Sequence, residues 1–247
     1  MDSLELSATS WCILMVCGLL VGISKTGVPG LGILVVALMA GVLPPRLSTG
    51  VLLPLLILAD VFAVRYYHRQ ARWSRLLPLL PAALAGIVVG AFVLHKTNDA
   101  AFGPVIGSIV LLMLFMQRLR RRIDGHGATT SRGVAPWLGF VAGVTTMMAN
   151  AGGPIVIIYL LAMRLPKMAF VGTGAWFFLI VNIIKVPFSV HIGLINLETL
   201  RIDLCMAPAI VAGALTGIWG LKRIPQRAFN LVVEALAVLA ALSLVMR

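Results

Sequence analysis

The sequence predicts an all-α polytopic membrane protein made of two inverted repeats, each a broken (re-entrant) helical hairpin followed by about three transmembrane helices. Three observations predict it. Apolar runs follow one another with hardly a break: 60% of the 247 residues are hydrophobic, 11% are charged, and the mean hydropathy is +1.04. Soluble domains carry about a quarter charged residues. Some of these runs are too short to span a bilayer and meet in pairs at glycine- and proline-rich breaks. The same order of landmarks then occurs twice along the chain.

Taken in order, the apolar segments are 9–23, 28–43, 48–66, 76–95, 102–118, 134–149, 153–163, 169–190, 205–221 and 228–246. The pairs 9–23 with 28–43, and 134–149 with 153–163, are the short ones. A helix of about 14 residues reaches about 21 Å, against a hydrocarbon core of roughly 30 Å. Gly18 and Gly22 before the first break match Gly139 and Gly143 before the second, and Pro29 matches Pro154. Further on, Asp60 in ILADVFAV aligns with Asn182 in LIVNIIKV, and Pro81, Gly86 and Gly90 align with Pro208, Gly213 and Gly217. The expected division is a first transmembrane repeat over 1–123, a basic cytoplasmic linker over 124–133, and a second repeat over 134–247. Glycines four apart let helix backbones approach closely in lipid.

Charge sets the orientation. The formal net charge is +12, but its carriers gather in short connections: Arg65, Arg69, Arg72 and Arg75 in one, Arg118, Arg120, Arg121, Arg122 and Arg132 in another. Basic short loops stay on the cytoplasmic side, so the excess reads as topology rather than as a nucleic-acid surface. With these loops inside, 95–101 and 44–47 fall outside. Reading each broken pair as a hairpin places Arg164, Lys167, Lys222, Arg223 and Arg227 inside as well, and both termini outside. No cleavable signal is expected, because the chain opens with Asp2 and Glu5.

GISKTGVPG at 22–30 has the look of a phosphate loop, but Ser24 rather than glycine precedes Lys25 and no strand precedes it. What survives is the physics of an interrupted helix. Irregular backbone at membrane depth is tolerated only inside protein or along a watery cavity. Gly27 and Gly30 give backbone freedom, and Pro29 suits the first turn of the next helix. That helix would begin inside the membrane with unpaired N–H groups, an anion site made of backbone. Asn150, Ala151, Gly152, Gly153 and Pro154 repeat the device from the opposite leaflet. Lys25 with Thr26, and Lys185 within 169–190, add charge and a donor, and intramembrane ionisable residues mark functional sites. The competing readings are that Lys25 snorkels to the headgroups and that Lys185 pairs with Asp60 only for packing. Asp60 is equally readable as that partner, as a proton or sodium acceptor, or as a gate. Ser24, Thr145, Thr146 and Asn182 are gating or coupling candidates that also suit helix capping.

Other residues carry less. Cys12, Cys17 and Cys205 lack ligand spacing and read as buried small hydrophobes. His68, His95, His126 and His191 lie in or beside loops. No metal site, cofactor or enzyme motif is expected. Glu234 has no readable partner. Trp176, Phe177 and Phe178 are packing or lipid-facing aromatics, with pathway lining as the sharper alternative.

GISKTGVPGLG near the start, with GVTTMMANAGGPIVIIYLL opening the second half, resembles the TauE/SafE family of sulfite exporters over nearly the whole chain. The resemblance implies secondary transport of sulfite, sulfoacetate or related organosulfonates across the bacterial cytoplasmic (inner) membrane. It carries the family's first motif onto Gly22, Lys25, Thr26, Gly27, Pro29 and Gly30, and its second onto Asn150, Gly152, Gly153 and Pro154. The expected partners are a small anionic substrate and the lipid bilayer, with a homodimer left open and no nucleic acid. Alternatives are an anion channel, or a carrier for small carboxylates or other oxyanions.

Overall fold

The apolar runs fold into helices that stop where glycine, asparagine or proline interrupts them. The computed structural model describes residues 6–96 and 134–225, with Ala228. The segments 102–118 and 228–246, the linker 124–133, His126 and Glu234 lie outside the described residues or almost wholly so. Helix α1 covers Ala8–Thr26, α2 Gly32–Val42, α3 Pro45–Tyr67, α4 Trp73–Leu76 and α5 Leu80–Lys96. After the undescribed stretch come α6 (Val134–Ala149), α7 (Gly153–Ala162), α8 (Lys167–His191) and α9 (Leu197–Arg223).

Local chemistry fixes the ends. Ser7 caps α1 by accepting from the Ser10 amide at 3.1 Å. Pro45 opens α3 at a position where its missing N–H costs nothing. Asn196 and Thr199 form a reciprocal capping box at the start of α9, whose last turn carries Lys222 and Arg223 against the helix dipole. Among the described residues, four stretches are long and apolar enough to cross a membrane: Ala8–Thr26, Arg46–Gln70, Lys167–His191 and Leu197–Arg223. By contrast α2 and α7, of 11 and 10 residues, are only about half a crossing long.

Packing joins the early part of the chain to the late part. Helix α1 lies along α9, α5 along α6, and α3 along α8. The two outer pairs use the same device. A Cβ on Gly22 would come within 2.4 Å of the Ile210 carbonyl, and one on Gly213 within 2.1 Å of the Leu19 carbonyl. Across the other seam, a Cβ on Gly143 would meet the Ala83 carbonyl at 2.0 Å, and one on Gly86 the Phe140 carbonyl at 2.2 Å. Backbone against backbone is the contact that small residues permit between membrane helices.

The connections sort by end of the bundle. At one end the Tyr159 hydroxyl donates to the Arg75 carbonyl at 2.8 Å, and the Lys222 ammonium lies 5.1 Å from the Tyr66 ring. Lys167 there donates to the carbonyls of Leu221 and Ile224, closing the end of α9. At the other end the rings of His95 and His191 stack at 6.0 Å, and Gly50 presses on Leu194. Residues 65–75, 164–167 and 222–224 therefore gather at the basic end.

Candidate functional site

Each broken pair turns at a residue with positive φ. In the first it is Gly30, at 114°, and in the second Asn150, at 52°. Asparagine is among the few side chains that tolerate this region. Asn150 is also clamped: its amide nitrogen donates to the Thr49 carbonyl at 3.0 Å, and its amide oxygen accepts from Lys185 at 2.6 Å. Neither following helix is capped by a side chain, the preceding residues being Leu31 for α2 and Gly152 for α7. Their first N–H groups are thus left for another acceptor.

The first break is longer than its sequence reads. Helix α2 begins at Gly32, so Pro29 and Gly30 sit in the turn before it rather than in its first turn. The left-handed conformation of Gly30 keeps the chain out of helix there. The second break behaves as the sequence reads it, with Gly153 and Pro154 opening α7.

A cavity of about 100 Å³ lies between the two breaks. By that measure it holds several times the space one water needs. Ser24, Lys25, Pro29, Gly30 and Gly32 line it from one hairpin, and Thr146, Asn150, Ala151, Gly153 and Pro154 from the other. Asn182 and Phe178 of α8 add a polar group and a ring, and most of the remaining wall is aliphatic. A Cβ built on Gly153 would meet nothing within 4 Å.

Behind this wall runs a chain of polar contacts between α1, α3, α8 and α6. The Lys25 ammonium lies 2.9 Å from Asp60 Oδ1, donates to Oδ2 at 3.2 Å, and sits 4.0 Å over the Phe178 ring. Asn182 donates to Asp60 Oδ2 at 2.8 Å and offers its amide oxygen to Lys185 at 3.3 Å. Lys185 completes its set with Asn150 and with Thr146 Oγ1, the latter at 3.3 Å. Three oxygens match the three hydrogens of an ammonium. Asp60 and Lys185 are 0% and 1% exposed, so both are cut off from bulk water.

The two competing readings of the lysines do not match the geometry. Asp60 takes Lys25 as its ion-pair partner, not Lys185, because α1 rather than α8 brings its ammonium to the carboxylate. Lys25 therefore turns inward and does not snorkel to the headgroups. Lys185 does not open onto the cavity but stands behind Asn150 and Asn182. Four other candidates face away. Thr26 Oγ1 lies 2.9 Å from the Gly22 carbonyl and 2.8 Å from that of Ala214, while a Cβ on Gly27 would strike the Gly217 carbonyl oxygen at 2.7 Å. Both serve the α1–α9 seam. Thr145 bonds back to the Val141 carbonyl at 2.8 Å, and Gly152 packs against Ala142 and Thr146.

The structure also supplies residues that sequence reasoning passed over. The Tyr67 hydroxyl donates to the Thr26 carbonyl at 2.9 Å and ties the end of α1 to α3. Asp203 is buried on α9 with both carboxylate oxygens lacking a hydrogen-bond partner among the described residues. Its place on the Thr199–Met206 face was the available signal. Trp176 packs on Trp73 at 5.1 Å, whereas Phe178 reaches the cavity.

A family model described as "Sulfite exporter TauE/SafE" matches residues 14–244. The chain belongs to the TauE/SafE family. Neither a curated protein nor a solved structure matches it. The TauE/SafE match spans both helix breaks and the polar chain between them, and with the long apolar helices it identifies a multi-pass membrane transport protein. Among the described residues there is no group of His, Cys, Asp and Glu able to hold a metal ion.

Proposed function

We propose that this TauE/SafE protein is a secondary carrier that moves small sulfur-containing anions, such as sulfite, sulfoacetate or a related organosulfonate, outward across the bacterial cytoplasmic membrane. The anion is held between the two helix breaks and passes by alternating access. One observation carries the reading: a single small cavity collects both uncapped helix starts together with Lys25, Asn150, Asn182 and Thr146. Backbone N–H groups at a helix start, backed by an ammonium, suit an oxyanion. Lys185 supplies charge from behind, relayed through the two asparagines it orients.

The matching glycine seams of α1 with α9 and α5 with α6 support two repeats of opposite orientation, as in other carriers with paired discontinuous helices. Rocking of one repeat against the other would open the cavity to each side in turn. The basic end of the bundle faces the cytoplasm in this reading, which puts the start of α1 outside. A potential negative inside favours anion efflux by about 2.3 kcal/mol per charge per 100 mV, so export needs no second energy source.

Counterflow in proteoliposomes tests the proposal. Internal sulfite or sulfoacetate should exchange saturably for labelled external anion, with small carboxylates exchanging poorly. Unsaturable flux without counterflow would mean a channel, and a preference for carboxylates would replace the substrate class.

A further inference from the structure

The polar chain behind the cavity carries two ammonium groups and one carboxylate. Lys25 is matched by Asp60 at 2.9 Å, while among the described residues Lys185 meets neutral oxygens, from Thr146, Asn150 and Asn182. The orientation of both asparagines leaves no alternative acceptor pattern. Asn182 spends its N–H on Asp60 and Asn150 spends its own on Thr49, so each turns its carbonyl oxygen to Lys185. With all three groups ionised, the site holds one net positive charge. A monoanion neutralises it. A dianion leaves an excess negative charge in a wall that is mostly aliphatic, where unpaired charge is costly.

We propose that Asp60 sets the charge of the cargo: the carrier takes one negative charge per anion bound, either a monoanion alone or a dianion together with one proton on Asp60. This rests on the anion-carrier reading above. The proton comes from the aqueous side that delivers the anion and is released with it on the other side; no other bond forms or breaks. Oδ1 is the oxygen that receives it. Asn182 holds Oδ2, whereas Oδ1 has no hydrogen-bond partner among the described residues and lies 2.9 Å from the Lys25 ammonium. A proton there turns Lys25 away from Asp60, and Lys25 already lines the cavity. Protonation thus frees a second cation for the second charge of the dianion. Among the described residues, the charged groups that face Asp60 are Lys25 from α1 and Lys185 from α8. Helix α2 has no ionisable residue, and none from α9 acts on Asp60 among the described residues. The aligned position in the other repeat is Asn182, which cannot take up a proton in this way, so the coupling has one seat.

The test is binding of sulfate (dianion throughout) and methanesulfonate (monoanion throughout) to the purified full chain by titration calorimetry across neutral pH. Calorimetry in buffers of different ionisation enthalpy counts the protons. Linkage predicts that sulfate affinity rises about tenfold for each pH unit of acidification, with one proton taken up, and that methanesulfonate affinity stays flat. In Asp60→Asn the sulfate slope disappears. Sulfate binding in the wild type without proton uptake, or an unchanged slope in a folded Asp60→Asn protein, overturns the proposal. The wild-type contrast stands without the variant if that variant does not fold. Binding of neither anion, nor of sulfite, overturns the anion-carrier reading and this proposal with it.

Discussion

Lys25 and Asp60 meet at 2.9 Å across α1 and α3, with the carboxylate wholly buried and the ammonium at the cavity wall. The pair fastens the end of α1 to the middle of α3 and at the same time stands where a ligand would arrive. Its stability and its binding role can be separated by substitution.

Lys25→Met leaves a buried carboxylate with no adjacent cation, and breaking such a pair costs about 3–5 kcal/mol. The double variant Lys25→Met/Asp60→Asn removes both charges and should recover most of that loss. Chemical unfolding of the purified proteins compares them; equal stability of the single and double variants would deny the pair a structural role.

Lys185→Met keeps the Lys25–Asp60 pair and removes the cation of the polar chain that has no anionic partner among the described residues. A charge-assisted contribution of about 1.5–3 kcal/mol corresponds to anion affinity weakened on the order of 10–100-fold. Titration of sulfite into folded variant protein checks it, and wild-type affinity would place the binding charge elsewhere.

Gly153 and Gly27 carry similar motifs but should fail differently. Gly153→Val points into open space at the cavity and should fold with binding lost. Gly27→Ala forces a Cβ against the backbone of Gly217 and should cost about 1–3 kcal/mol of stability by parting α1 from α9. Thermal unfolding beside anion titration distinguishes the two; a stable Gly27→Ala protein would show that the seam can yield.

Tyr66 and Lys222 lie 5.1 Å apart, so residues 65–75 and 222–224 belong to one end of the bundle. Single cysteines placed at positions 69 and 223, in a background without the native thiols, should both label only from the cytoplasmic side of oriented cells. Labelling from opposite sides would exclude the inverted-repeat arrangement.

Much of the architecture is legible in the sequence because its signals are local. Short apolar runs meeting at ANAGGP give the α6–α7 break with its observed ends, 149 and 153, and glycines four apart mark the seams. Partnership is not local. Lys25 and Lys185 both suit Asp60 by chemistry, and only the rotation and depth of α1 and α8 decide that Lys25 has it. For the same reason Thr26 and Gly27, adjacent to Lys25 in one motif, turn out to serve a seam with α9, which the other half of the chain supplies. The late start of α2 follows from the left-handed Gly30, a backbone state that glycine permits but does not compel.

The central claim is that the anion sits between the two breaks. Selenite, the heavier analogue of sulfite, offers an anomalous scatterer for a crystal of the protein soaked at saturating concentration. The account predicts one selenium peak inside the cavity, within hydrogen-bonding reach of the uncapped start of α7 at Gly153 and beside Asn150 and Lys25. A peak at the basic end of the bundle alone, or an empty cavity at saturation, would contradict it.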